Sequence, residues 1–251
     1  MALPLLSLDA SVVILIEREQ FFNGASFVNK IPYTNLLIFS KYPIAGKAKT
    51  RLIPALGAEV AAQLHRQLAE TAISTAQSWQ QISSEKVNRI TVHYTGAGEK
   101  DLCSWLGADL DYQEQPAGDL GQRMCTAFES AFESGIEHVI GIGTDVPTLT
   151  ATILQQADKN LEDHDVVLGP AADGGYYLIG MNSLYLELFV NIDWGTERVY
   201  AQTQAICRRL GLKIAKLPVL NDIDRPEDLD TLKNDPRFDK IIEQGRTHGH
   251  D

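Results

Sequence analysis

Apolar and polar positions along the chain follow two alternating periods. Asn35-Leu36-Leu37-Ile38-Phe39-Ser40 is an almost unbroken apolar run, the pattern of a strand covered on both faces in a parallel sheet. From Gly57 to Trp79 apolar residues recur every four positions, at Val60, Leu64, Leu68, Ala72 and Ala76, which predicts an amphipathic helix able to cover one sheet face. Val87 to Thr95 alternates as a second strand, followed by a short helix over 98–106 and a short strand over 109–113. Leu120, Met124, Phe128 and Phe132 mark the next helix, and Glu137-His138-Val139-Ile140 leads into a buried strand. A helix from Thr150 to about Asn160, strands over 165–170 and 176–180, a helix from Val199 to Arg209 and a last strand over 213–219 complete the pattern. Strands alternating with helices predict one three-layer α/β/α domain with a mostly parallel central sheet. It is expected to occupy 35–238, behind an N-terminal extension over 1–34 and before a charged C-terminal tail, 239–251, read as a frayed terminus.

Composition narrows the partners. At 251 residues, 44% apolar and 22% charged, the chain is an ordinary globular protein with enough length for a substantial core. Its 33 carboxylates against 22 Lys and Arg give a net charge of −11, which argues against a broad nucleic-acid or anionic-membrane footprint. The opening Met1 to Ile16 is apolar but carries Asp9 and is too short to span a bilayer. Cys103, Cys125 and Cys207 are far apart and show no metal-ligand spacing, so they read as free thiols in a reducing cytoplasm.

Chemistry concentrates where strands are expected to end. Gly141-Ile142-Gly143-Thr144-Asp145-Val146-Pro147 takes an apolar strand into small residues and one carboxylate, with Pro147 fixing the turn. Asp145 is thereby placed in the crevice where open α/β sheets bind ligands. After the first strand, Lys41, Lys47, Lys49 and Arg51 share a loop with Pro43 and Gly46, a cluster suited to a di- or triphosphate. The spacing is not that of a P-loop, since position 41 is Lys and position 48 is Ala. Gly118-Asp119-Leu120-Gly121-Gln122-Arg123 opens a helix where backbone can approach a ligand, although Asp119 also suits a plain N-cap. Asp173-Gly174-Gly175 forms a tight turn that is either purely structural or sets Asp173 to face an acceptor, and Trp194 beside Gly195 is a candidate lid or pocket wall. Asp222 and Asp224 precede Pro226 at a helix start, where one can cap and the other is free for a ligand. His65 on the long helix reads as an exposed or capping residue. Cations and carboxylates at one edge can hold a nucleotide diphosphate through Mg²⁺ or Mn²⁺.

The motifs at 40–52 (SKYPIAGKAKTRL), 118–124 (GDLGQRM), 143–149 (GTDVPTL), 173–180 (DGGYYLIG) and 222–229 (DIDRPEDL) resemble the radical-SAM/selenodomain-associated transferase type 1 family. This is a glycosyltransferase-like branch of the GT-A, or nucleotide-diphospho-sugar transferase, superfamily. The resemblance spans about 35–235 and implies a GT-A fold with a divalent metal near Asp145. It implies Asp224 as the better second metal ligand and Asp222 as the reserve. Ser40, Lys41, Gly46, Lys47, Lys49, Arg51, Gly118, Asp119, Gly121 and Arg123 would then bind the nucleotide, with Gly174, Gly175 and Trp194 on the acceptor side. Two departures bear on the reaction: a lone Asp145 replaces the Asp-x-Asp of many glycosyltransferases, and the Ala-Lys-Thr-Arg-Leu element is similar to the guanylyltransferases of deazaflavin-cofactor synthesis. The expectation is glycosyl transfer from a nucleotide sugar to a small acceptor, with Asp145 and Asp173 catalytic. The alternatives are nucleotidyl transfer from a nucleoside triphosphate with loss of pyrophosphate, and a nucleotide-binding module without turnover.

Overall fold

A computed structural model describes residues 33–82 and 87–248; the extension expected over 1–34 lies almost wholly outside them. A mixed sheet of seven strands forms the centre: β1 (Tyr33–Lys41), β2 (Val87–Thr95), β3 (Asp111–Glu114), β4 (His138–Gly143), β5 (Val166–Pro170), β6 (Tyr176–Met181) and β7 (Ile214–Lys216). Their order is β3-β2-β1-β4-β6-β5-β7, and only β6 runs against the rest. The strand order reverses at β1 and β4, so the carboxyl ends of these two strands form the crevice where such sheets bind ligands.

The helices are α1 (Ile53–Leu56), α2 (Ala58–Ile82), α3 (Glu99–Leu106), α4 (Leu120–Glu133), α5 (Ala151–Asn160), α6 (Val199–Leu210) and α7 (Asp239–His248). Alternation along β1 divides the core between the two sheet faces. Leu36 and Ile38 pack with Ile73, Ala76 and Trp79 of α2 and Leu154 of α5, whereas Leu37 packs with Met124 and Phe128 of α4 and Cys207 of α6. Every apolar position of the four-residue repeat in α2 is buried, as that periodicity requires. All three cysteines are free. No helix among the described residues is long and apolar enough to cross a membrane.

A third apolar cluster fixes the loops. Leu52, Leu56, Leu64 and Leu68 pack with Ile223, Leu229, Phe238 and Ile242, joining the end of the basic loop, α2, the segment after β7 and α7. Two expectations change here. The last strand stops at Lys216 instead of running to Val219, because Pro218 has no N–H for the ladder. Residues from Asp239 form a helix, not a frayed tail, and Gly245 lies so close to Leu56 that a Cβ would come within 2.5 Å of Leu56 Cδ2.

Candidate functional site

The apolar run of β4 ends at Gly143, and Asp145 follows at the sheet's carboxyl edge. The main chain binds it to the segment after β7, where Ile223 N–H donates to the Asp145 carbonyl at 2.9 Å. Lys49 closes the junction. Its side chain is 4% exposed, its ammonium donates to the Ile223 carbonyl at 2.5 Å, and it lies 2.9 Å from Asp145 Oδ1. The second contact is an ion pair off the hydrogen-bonding direction, so the buried Oδ1 keeps an unused lone pair. Asp224 Oδ1 is 3.9 Å from the same ammonium.

The basic loop therefore has two populations. Lys49 turns inward, whereas Lys41, Lys47 and Arg51 are exposed. Lys41 donates to the Lys47 carbonyl at 3.3 Å, and Arg51 pairs with Asp224. The loop begins beside β2, where Tyr42 N–H donates to the Thr95 carbonyl at 2.8 Å. His65 lies beneath it. It is 6% exposed, not a surface residue, and its Nε2 is 2.7 Å from the Lys41 carbonyl. Burial lowers its pKa against the opposing pull of Asp145, so the ring is held toward its neutral form. Sequence reasoning missed it because its partner is a backbone carbonyl, invisible in residue spacing.

On the other side of Asp145 a pocket of about 240 Å³ opens over β4 and β6. Asp145, Asp173 and Asp222 all line it. Burial raises the Asp222 pKa and the nearby Asp173 raises it further. Asp173 Oδ1 accepts from Gly175 N–H at 2.8 Å, which leaves Oδ2 outside that turn. Neither Asp222 nor Asp224 caps the helix that follows. Asp228 does so, its Oδ2 accepting from the N–H groups of Asp224 at 2.9 Å and Arg225 at 2.6 Å.

The glycine-rich turns have packing reasons. Asp119 is the N-cap of α4, accepting from Gln122 N–H at 2.8 Å while Gln122 Oε1 accepts from Asp119 N–H at 3.0 Å. Gly118, at φ 132°, lies against Gln122. A Cβ on Gly121 would come within 2.3 Å of Trp194 Nε1, and one on Gly174 within 2.3 Å of the Glu197 carbonyl. Trp194 meets Tyr176 edge to face at 6.2 Å, and both line the pocket. Gly46, at φ 77°, meets nothing and serves the turn alone. Ser40 Oγ and Arg123 Nε are buried without hydrogen-bond partners among the described residues. Orphaned polar atoms of this kind call for a ligand, ion or water.

Asp145 and Asp222 supply hard oxygen donors in one pocket, and Asp222 bears the cost of another carboxylate nearby. This donor set fits a divalent cation of the Mg²⁺ or Mn²⁺ type. Among the described residues no three carboxylate, His or Cys groups close into a complete cluster, so ligand oxygens would have to finish the coordination.

The chain is similar to known proteins of this architecture. The family described as an uncharacterized protein conserved in bacteria, DUF2064, matches residues 75–196. A provisionally assigned nucleotide-diphospho-sugar transferase from Desulfovibrio desulfuricans G20 is 32% identical, with 84% of this chain and 97% of that one aligned and a TM-score of 0.74. CMP:2-keto-3-deoxy-manno-octonic acid synthetase complexed with CTP shares the fold at 10% identity, over 84% of this chain and 99% of its own, with a TM-score of 0.51. The bifunctional IspDF from Campylobacter jejuni does so at 12% identity, over 80% and 54%, with a TM-score of 0.52. No curated protein matches the sequence.

Proposed function

The chain belongs to the DUF2064 family, in the nucleotide-diphospho-sugar transferase superfamily, and from that premise we propose that it is a metal-dependent glycosyltransferase using a nucleotide-diphospho-sugar donor. The five motifs favour the radical-SAM/selenodomain-associated type 1 branch. One observation carries glycosyl over nucleotidyl transfer: the pocket beside Asp145 is lined by three carboxylates and, among the described residues, by no Lys or Arg. A neutral hydroxyl fits there, whereas an acceptor phosphate would find no protein cation to pair with.

In this reading Lys41 and Lys47 hold the donor diphosphate from the β2 side, with Ser40 and Arg123 offering their unpartnered polar atoms. Lys49 keeps Asp145 in place. Asp145 and Asp222 would hold Mg²⁺ or Mn²⁺; Asp224 is the weaker choice because Arg51 already pairs with it. The ion supplies Lewis-acid stabilisation of the departing nucleoside diphosphate when bound. Asp173, with Oδ1 fixed by Gly175, presents Oδ2 to orient and deprotonate the acceptor hydroxyl.

The test is thermal unfolding against nucleoside diphosphates, triphosphates and nucleotide sugars, each with Mn²⁺, Mg²⁺ or chelator, beside Asp145→Ala. A ligand at about 100 times its dissociation constant adds about 2.7 kcal/mol, which raises the midpoint by roughly 5–10 °C. The expected result is a metal-dependent shift with one nucleotide sugar, lost in Asp145→Ala, followed by release of nucleoside diphosphate. Release of pyrophosphate would reassign the reaction to nucleotidyl transfer. No shift with any nucleotide would remove the site.

A further inference from the structure

The three carboxylates occupy only part of the pocket; its remaining walls are mostly apolar. Phe39, Leu120, Met124, Tyr176, Trp194 and Val199 surround the space that leads to Asp145 and Asp222. Met124, positioned by its repeat to be core, is on this wall, and Leu120 stands at the helix start with 45% of its surface exposed. Leu120 thereby continues the apolar wall of the concave site out to its rim, the kind of lining that small-molecule sites present.

The aromatic part of this wall is built in advance. Trp194 rests on the backbone at Gly121, where no Cβ fits, and Tyr176 abuts it edge to face. A ring held on two sides loses little freedom when a ligand lies against it, so its contact area goes into affinity. The basic loop lies toward β2 while the pocket opens over β4 and β6, so the donor comes from the β2 side and meets the acceptor only at the carboxylate end of the pocket.

We propose that the acceptor is an alcohol carried on a flat apolar body, neither phosphorylated nor polyhydroxylated. This inference rests on the glycosyltransferase reading above. The hydroxyl lies among the carboxylates and the apolar body covers Trp194, Met124 and Leu120. In transfer, the bond from the anomeric carbon to the donor's phosphate oxygen breaks, a bond from that carbon to the acceptor oxygen forms, and the hydroxyl proton passes to Asp173. A sugar would place several hydroxyls against Phe39, Met124 and Leu120, which cannot hydrogen-bond them, and a phosphate would find no lysine or arginine in the lining to pair with.

Calorimetric titration of the full chain without donor or divalent ion tests this with three probes: 4-butylbenzyl alcohol, 4-butylbenzyl phosphate and methyl glucoside. The alcohol is expected to bind about tenfold or more tightly than its own phosphate ester, and more tightly than the glucoside. Trp194→Ala should weaken it by about tenfold or more. Leu120→Lys, at an exposed position, should narrow the gap between alcohol and phosphate. The proposal is overturned if the phosphate or the glucoside binds as tightly as the alcohol, if Trp194→Ala leaves the alcohol unaffected, or if the alcohol does not bind. Because no donor is present, these results stand apart from the test of glycosyl transfer: pyrophosphate release with nucleotides would undo the reaction assignment while leaving the pocket preference measured here.

Discussion

Lys49 separates what residue type says from what position adds. In the sequence it is one of several cations in a loop, indistinguishable from Lys47 two residues away. In the structure it adopts a left-handed backbone, φ 48°, which a non-glycine residue takes only when its surroundings repay the strain. The repayment is visible: its ammonium reaches Asp145 and the Ile223 carbonyl while Leu52 and Ile223 exclude water nearby. Lys49→Met should strand that carbonyl and uncouple Asp145, at a cost of about 2 kcal/mol read as a shift in the urea midpoint. Lys47→Met, on the exposed side of the loop, should change stability little. Equal effects of the two would mean that the inward lysine is no clamp. The position of Asp145 at the sheet's carboxyl edge was legible because it follows an apolar strand. The pairing of Asp224 was not, since Arg51 reaches it across from the first loop.

At the scale of elements, periodicity located what is long and repetitive. The helix α2 declared itself through five apolar positions at one spacing, and each of them is buried. The helix α7 offers mainly Ile241 and Ile242, with Gly245 in its middle, and its reason to form is a site on Leu56 that the sequence cannot display. Strand β2 holds a second hidden feature. Its outer positions Thr91 and His93 are buried, and His93 stacks on Phe39 at 5.2 Å with Nε2 unpartnered among the described residues. Burial lowers its pKa to about 4 from the ordinary 6.5. Between these values the unfolded chain binds the proton and the folded chain does not, so stability falls as pH drops from 6.5 toward 4 and is unaffected by this group above 6.5. The slope from one histidine is up to about 1.4 kcal/mol per pH unit. His93→Gln should flatten urea midpoints measured across this window, leaving the smaller contribution of His65, whose pKa burial also lowers. A curve unchanged by the substitution would show that His93 titrates alike in the folded and unfolded chain.

For the whole molecule, the difficulty is that a chain with net charge −11 is proposed to take an anionic donor. Average charge repels such a ligand, so capture must depend on a field that reverses sign locally. Lys41 and Lys47 provide this reversal: they are exposed and lie beside the end of β2, while Lys49 is spent on Asp145 and Arg51 on Asp224. The third apolar cluster brings the two regions together, tying the basic loop to the segment that carries Asp222 and Asp224. Replacing Lys41 and Lys47 with Gln removes two solvent-exposed charges, each worth up to about 1 kcal/mol to a nearby phosphate, so nucleotide-sugar affinity should fall by about tenfold. The loss should appear mainly in the association rate and shrink as salt shortens the Debye length from about 10 Å at 0.1 M toward 3 Å at 1 M. Stopped-flow association across that salt range decides it. A gap that persists undiminished at high salt would mean that the two lysines make buried contacts with the donor and do not steer it, and no gap at any salt would place the diphosphate elsewhere on the edge.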